Sequence, residues 1–357
     1  MQHAPKVDAI WRRWGPRFIG AGVDYNIFMQ LKGEIEDWLD WCQRWSEKAA
    51  DLEEFGDEAM EKGYSHTAAE SWLNAAILYH FGGMYFINDM EQFHAAHMKK
   101  LETFMRAAPL LDPPVERFEV PFEGVSLVGL LRRPEGVDNP PVVIFFNGFE
   151  GVKEESHQRT HRYLARGMAT VTWDGPGRGE VWEHLPLTGE SGPSTSAIID
   201  YLEARGDVDA SRIGVTGPNR GGFAAAKAAA YEPRIMACAV TNPGFDRRDV
   251  KWDDPYEVAF DMHLFHCSRE DQLRDRMKHQ KEFTLEGDAE KIRCSVLIVA
   301  GKDVEGRHAR GTQRLFDEVQ GPKQWVTFPR ARITGNNVPY KIRPTIADFM
   351  AEELGAG

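Results

Sequence analysis

A chain of 357 residues, 42% hydrophobic and 27% charged, has material for a large core plus an accessory domain, and its composition argues against disorder. The net charge of -12, with no basic stripe, argues against a nucleic-acid partner and leaves a small molecule as the expected one. No apolar signal core opens the chain and no run approaches the roughly 18 residues of a membrane span, so a cytoplasmic protein without a membrane partner is expected.

From Ile10 to about Leu111 the pattern is helical. Trp38, Trp41, Cys42 and Trp45 recur at i, i+3, i+4 and i+7 and share one helix face. A second helix is predicted from a cap-like Ser65 through Trp72 and Tyr79 to the Gly82-Gly83 pair, and a third through Phe93, His97, Lys100 and Phe104. Six of the ten tryptophans fall in this part, as core or as the lining of a pocket for a flat ligand. His80, His94 and His97 read as surface or core histidines. The prolines of Asp112-Pro113-Pro114 break the pattern, because they fix φ and remove donors. A domain boundary is placed there, giving a helical domain over 1–112 and a second domain over 113–357.

The second domain has a different grammar. Val115 to Val120 and Ser126 to Leu131 read as a hairpin around Glu123-Gly124. Predicted strands follow at Val142 to Phe146, Ala169 to Trp173, Arg212 to Thr216, Met236 to Thr241, Ser295 to Ala300 and Gln324 to Phe328. Most are continuous apolar runs, as in central strands covered on both faces, so a mostly parallel α/β sheet is expected. About 245–288 lacks a strand pattern and is predicted to be a helical insertion. The four cysteines, Cys42, Cys238, Cys267 and Cys294, show no metal spacing and are expected to be reduced and structural; no cofactor or metal motif is present.

The most informative segment is Ile213 to Gly222. A strand runs into Gly217-Pro218-Asn219-Arg220-Gly221-Gly222 and then into the small-residue helix Phe223 to Ala230, the shape of a G-x-S-x-G nucleophile elbow. The middle residue is Asn219, and an amide is a very poor nucleophile. Its side chain can still direct a donor or an acceptor at a ligand. In this α/β-hydrolase fold the acid follows a later strand and the histidine comes last. Asp303, after Val296 to Gly301, fits the acid position, but no histidine follows His308. Asn147-Gly148-Phe149-Glu150 follows a strand and is placed to give oxyanion-hole N–H groups from Gly148 and Phe149, with the Arg220 N–H opposite. Asp174 to Glu180 reads as a structural turn beneath the site and lacks the ending of a P-loop.

These segments, with Gly148 to Glu155, Gly22-Val23-Asp24-Tyr25-Asn26 and Pro339-Tyr340-Lys341-Ile342-Arg343-Pro344, resemble the 2,6-dihydropseudooxynicotine hydrolase group. That group is similar to the fermentation-respiration-switch-type esterases and to the fungal yellowish-green polyketide-shortening hydrolase. The resemblance implies an α/β-hydrolase domain with a helical N-terminal cap, a ligand site between them, and a homodimer. It also implies carbon–carbon bond hydrolysis by a Ser/Asp/His triad assisted by a glutamate. Carried over, the serine falls on Asn219, the aspartate on Asp303 and the glutamate on Glu150. Counting back from Pro339-Tyr340, the histidine falls on Ile333.

Three readings follow. In the first, an enzyme of secondary metabolism polarises a carbonyl of an aromatic or polyketide-like compound and moves protons with Glu150, Asp303 or His308, as a lyase, cyclase, isomerase or C–C-cleaving enzyme. In the second, a silent hydrolase serves as a small-molecule receptor or carrier. In the third, Glu150 or Asp303 activates water. Structural roles compete at each position: Asp303 pairing with Arg307 or capping a backbone N–H, Glu150 with Lys153, Arg220 with the cap domain, and His308 at the surface of a loop.

Overall fold

The computed structural model describes residues 4–246, 252–279 and 281–356. The chain divides into two compact units, Met1–Glu116 with Asp253–Phe260, and Arg117–Trp252 with Asp261–Gly357. The sequence reading gave all of 245–288 to the second domain, whereas Asp253–Phe260 belongs to the first unit; residues 247–251 and 280 of that stretch lie outside the described residues.

The first unit contains α1 (Val7–Ala21), α2 (Tyr25–Glu34), α3 (Trp41–Glu61), α4 (Ser65–Gly83) and α5 (Met90–Ala107). Gly22 ends α1 in the left-handed conformation (φ 115°), and the Asp24 side chain caps α2 by accepting the Asn26 and Ile27 N–H groups. This accounts for the Gly22 to Asn26 run. Ser65 is the first residue of α4, whose N-cap is Tyr64, so the capping role expected for Ser65 is not filled. The tryptophan stripe is core. Trp38, Trp41 and Trp45 are 0–1% exposed, and Trp41 lies 4.5 Å from Trp11 and 5.0 Å from Trp38 between ring centroids. Tyr256 belongs to the same cluster, its hydroxyl accepting the Trp38 indole N–H at 3.0 Å.

The second unit is built on one eight-stranded sheet in the order β1-β2-β4-β3-β5-β6-β7-β8. Its strands are β1 (Glu116–Phe122), β2 (Val125–Arg132), β3 (Pro141–Phe145), β4 (Ala169–Asp174), β5 (Asp209–Pro218), β6 (Ile235–Thr241), β7 (Ser295–Gly301) and β8 (Lys323–Phe328). Helices α6 (His157–Leu164), α7 (Gly192–Glu203), α8 (Arg220–Tyr231), α9 (Pro255–Leu264), α10 (Glu270–His279), α11 (Gly306–Glu318) and α12 (Pro339–Glu353) are interspersed, α9 beginning in the first unit. β2 runs antiparallel to β4, and β4, β3, β5, β6, β7 and β8 run parallel to one another. Glu123 and Gly124 join β1 to β2 with φ of 47° and 83°, the pair of positive values that a tight hairpin turn requires.

Strand alternation divides the core. Val142 and Ile144 join Val215, Phe223 and Ala225 on one face, whereas Val143 and Phe145 join Tyr163, Ile342 and Ile346 on the other. Helix α8 therefore covers one face behind the elbow, and α6 with α12 the opposite one. Among the described residues no helix is long and apolar enough to cross a membrane.

Candidate active site

β5 ends at Pro218 and α8 begins at Arg220, leaving Asn219 alone in the turn at φ 50°, ψ -113°. A non-glycine residue in such a region costs about 1–3 kcal/mol and is held there only by its surroundings. Three glycines provide them. A Cβ on Gly217 would lie 2.5 Å from the Gly221 carbonyl carbon, one on Gly221 2.3 Å from the Phe146 oxygen, and one on Gly222 2.7 Å from the Gly217 oxygen. Only backbone fits between the end of β3, the end of β5 and the start of α8. The Asn219 N–H donates to the Thr241 carbonyl at 2.8 Å, and its carbonyl accepts the Phe223 N–H at 2.9 Å. The main chain of Asn219 is thereby fixed at the tip of the elbow.

The loop after β3 is shaped by Asn147, a residue the sequence reading left without a role. Buried, it donates from Nδ2 to the Val152 carbonyl at 2.8 Å and accepts the Ser156 hydroxyl at Oδ1 at 2.9 Å. Its own carbonyl accepts Arg178 Nη1 at 2.9 Å. Within the loop, the half-buried Glu150 folds back over Gly148, where a Cβ would lie 3.2 Å from Oε2. Phe149 carries the Arg220 guanidinium 4.4 Å above its ring. Gly148, Phe149, Glu150 and Arg220 are thus brought together beside Asn219.

Two further guanidiniums enter this region. Burial lowers the Arg178 pKa, while Asp174 and Glu150 favour its charge; its Nε is buried without a hydrogen-bond partner among the described residues. Arg307 is likewise lowered, by burial first and by Arg220, against the pull of Asp246. Glu150 therefore lies within electrostatic reach of the Arg178 guanidinium.

The ion pair considered between Glu150 and Lys153 does not form. Lys153 is buried at 1% exposure, with its ammonium 2.7 Å from Asp174, 2.8 Å from Glu154 and 2.7 Å from Glu180. Those three carboxylates lie close enough together for a metal ion, but the Lys153 ammonium already sits against all three, and Arg117 pairs with Glu180 at 2.9 Å. The Asp174 to Glu180 turn is structural, as its glycines indicate: a Cβ on Gly179 would overlap the Asp174 carboxylate.

Asp303 follows β7 as expected but is exposed, and its Oδ2 accepts the Arg330 backbone N–H at 3.1 Å. Arg307, its expected partner, senses Asp246 and Arg220 instead. Ile333 lies in the loop between β8 and α12, where its carbonyl accepts Asn242 Nδ2 at 3.0 Å; Asn242 Oδ1 in turn accepts the Gly301 N–H. Asn242, also missed, ties the ends of β6 and β7 to that loop. His308 is half-buried in the first turn of α11, not in a loop. His80 is buried, and His94 and His97 are half-buried.

Sheet order, elbow and the loops after β3, β7 and β8 define an α/β-hydrolase-fold protein. The chain belongs to the FrsA-like esterase family, whose profile matches residues 38–247. It is 35% identical over 240 residues to the 2,6-dihydropseudooxynicotine hydrolase of Paenarthrobacter nicotinovorans, a match covering 67% of this chain and 64% of that protein. It is 26% identical to the α/β hydrolase pydG of an Acremonium species, over 87% of this chain and 86% of that one. Among solved structures, the 2,6-dihydroxy-pseudo-oxynicotine hydrolase superposes with a TM-score of 0.85 over 95% of both chains at 28% identity. The match to AbyA5, at a TM-score of 0.74 and 17% identity over 98% of this chain and 95% of that one, shows the fold alone.

Proposed function

We propose that this chain is an enzyme that activates a carbonyl-containing aromatic or polyketide-like small molecule without forming an acyl-enzyme. The observation that carries the reading is Asn219 in the strained elbow conformation, with Gly217, Gly221 and Gly222 all retained around it. An amide at that point cannot attack a carbonyl, but it can hydrogen-bond one.

The substrate carbonyl oxygen would accept from the Arg220 and Phe149 N–H groups, with Asn219 Nδ2 as a further donor. Charge developing on that oxygen is then met by dipoles already in place. Glu150 takes the proton from the carbon α to the carbonyl; the C–H electron pair moves into the C=C bond of an enolate and the carbonyl pair onto oxygen. The proton returning to another carbon gives isomerisation. Attack of the enolate carbon on a second carbonyl of the substrate, whose oxygen takes the proton, gives cyclisation. Departure of a β substituent with its bonding pair, taking the proton, gives elimination, or C–C cleavage where that substituent leaves as a stabilised carbanion. Asp303, occupied by the Arg330 N–H, and His308, on α11, have no part in this scheme. Relatives named as hydrolases and a Penicillium oxalicum relative named as a hydrolyase, 28% identical over 250 residues, support a scaffold used for more than one reaction. A homodimer remains part of the proposal, on the resemblance alone.

Hydrogen–deuterium exchange at the α-carbon of a panel of aryl 1,3-diketones, followed by NMR in heavy water, tests this directly. Catalysed exchange that Glu150→Gln abolishes while diketone binding persists supports the enzyme. Binding without any exchange in the unaltered protein would favour the receptor reading instead.

A further inference from the structure

Among the described residues, neither the Gly148 nor the Phe149 N–H donates to a group of the protein, although the carbonyls that share their peptide planes are both engaged. The Asn147 carbonyl accepts Arg178 Nη1 at 2.9 Å, and the Gly148 carbonyl accepts the Gly151 N–H at 3.2 Å. Both peptide bonds are trans, so in each plane the N–H points away from the group that holds the carbonyl. We propose that Arg178 is a positioning residue: by holding the Asn147 carbonyl it keeps the Gly148 and Phe149 N–H groups turned toward the carbonyl oxygen of the substrate.

The placement of Arg178 is the first support. A Cβ on Gly175 would lie 2.5 Å from Nη2, so glycine there makes the room that the guanidinium occupies. Asp174 attracts the guanidinium, but the Asp174 oxygens accept the Lys153 N–H and ammonium at 2.9 and 2.7 Å and the Glu180 N–H at 3.4 Å. The hydrogen bond of Arg178 goes instead to a main-chain carbonyl, while Nε is buried without one among the described residues. A charge-assisted bond is roughly twice as strong as one between neutral groups, so the peptide plane it holds resists rotation.

The rest of the loop is the second support. Asn147 donates from Nδ2 to the Val152 carbonyl and accepts the Ser156 hydroxyl at Oδ1, which settles its side chain and not the peptide that follows it. On the elbow side, a Cβ on Gly221 would lie 3.0 Å from the Asn147 carbonyl carbon, so the elbow packs directly against this peptide. Rotation of the Asn147–Gly148 plane would replace a donor with a carbonyl oxygen beside Asn219 and repel the charge that develops on the substrate oxygen. The inference rests on the carbonyl-activating reading given above, and adds to it a residue that touches no reacting atom.

The test uses 2,2-dimethyl-1-phenylbutane-1,3-dione labelled with carbon-13 at both carbonyls, an aryl 1,3-diketone with no proton between them. Infrared difference spectra of this diketone bound to the full chain read carbonyl polarisation whether or not a proton is removed. The bound carbonyl band is expected to lie below its position in water, to return to it in Arg178→Met, and to be largely restored in Arg178→Lys. In parallel, catalysed exchange of 1-phenylbutane-1,3-dione in heavy water is expected to slow about tenfold or more at saturation in Arg178→Met, with the half-saturating concentration little changed. Should Arg178→Met fail to fold, Arg178→Gln takes its place. The inference is overturned by an unshifted band in the unaltered protein, by a shift that survives in folded Arg178→Met, or by Arg178→Lys behaving as Arg178→Met does. A lowered, Arg178-dependent band without exchange would uphold the inference and overturn proton abstraction; exchange with a band indifferent to Arg178 would do the reverse.

Discussion

The carboxylate of Asp303 accepts the backbone N–H of Arg330 at 3.1 Å, joining the end of β7 to the loop that precedes α12. In an acid–histidine pair that carboxylate would orient an imidazole carried on the same loop. Here the loop bears Ile333, and the acid holds the main chain. Asp303→Asn keeps an acceptor oxygen and is expected to change stability little, whereas Asp303→Ala loses about 1 kcal/mol, a typical net hydrogen-bond contribution. Urea titrations of the two variants separate these outcomes, and diketone exchange is expected to be the same in both.

Asn219 holds a strained backbone, and glycine adopts that conformation without a Cβ penalty. Asn219→Gly is therefore expected to stabilise the fold by about 1 kcal/mol once the greater freedom of the unfolded chain is subtracted, and so to raise the thermal midpoint. Differential scanning calorimetry reads this, and a lowered midpoint would mean that the side chain anchors the turn.

Lys153 pairs with three carboxylates, of which Asp174 and Glu154 are 0% and 2% exposed and Glu180 is shared with Arg117. Removing one partner of a buried ion network leaves charge uncompensated, so Lys153→Met should cost about 3–5 kcal/mol. A loss below about 1 kcal/mol in urea unfolding would contradict the arrangement described.

Burial, with Arg132 and His161 adding to it, holds the His157 imidazole well below its ordinary value of 6.5. The folded protein keeps it neutral while the unfolded chain takes up a proton near that pH. The stability this group contributes is present above about pH 6.5 and declines as the pH falls toward 5, by up to about 1.4 kcal/mol per unit. His157→Gln should flatten the stability profile across that window; an unchanged slope would show that other groups set it.

The second unit was legible because its strands are apolar runs and its elbow needs glycines at fixed offsets. Each predicted strand is present, β5 extending further at both ends, to Asp209 and Pro218. Lys153 was not legible. Beside Glu150 in the chain it reads as a surface charge, and only Asp174 and Glu180, more than twenty residues away, make its burial tolerable. Arg178 was hidden in the same way, inside a turn read for its glycines, and His308 was assigned to a loop because Gly306 masks the start of α11. The tryptophan stripe could be core or pocket lining from periodicity alone; the neighbouring rings decide for core.

The most direct test of the central claim is intact-mass analysis after exposure to a serine-reactive fluorophosphonate, on the unaltered protein and on Asn219→Ser/Ile333→His. No adduct on the unaltered chain, and one adduct on Ser-for-Asn protein with a histidine restored to the β8–α12 loop, is the predicted result. An adduct on the unaltered chain would reveal a nucleophile other than the elbow residue and would contradict chemistry without an acyl-enzyme.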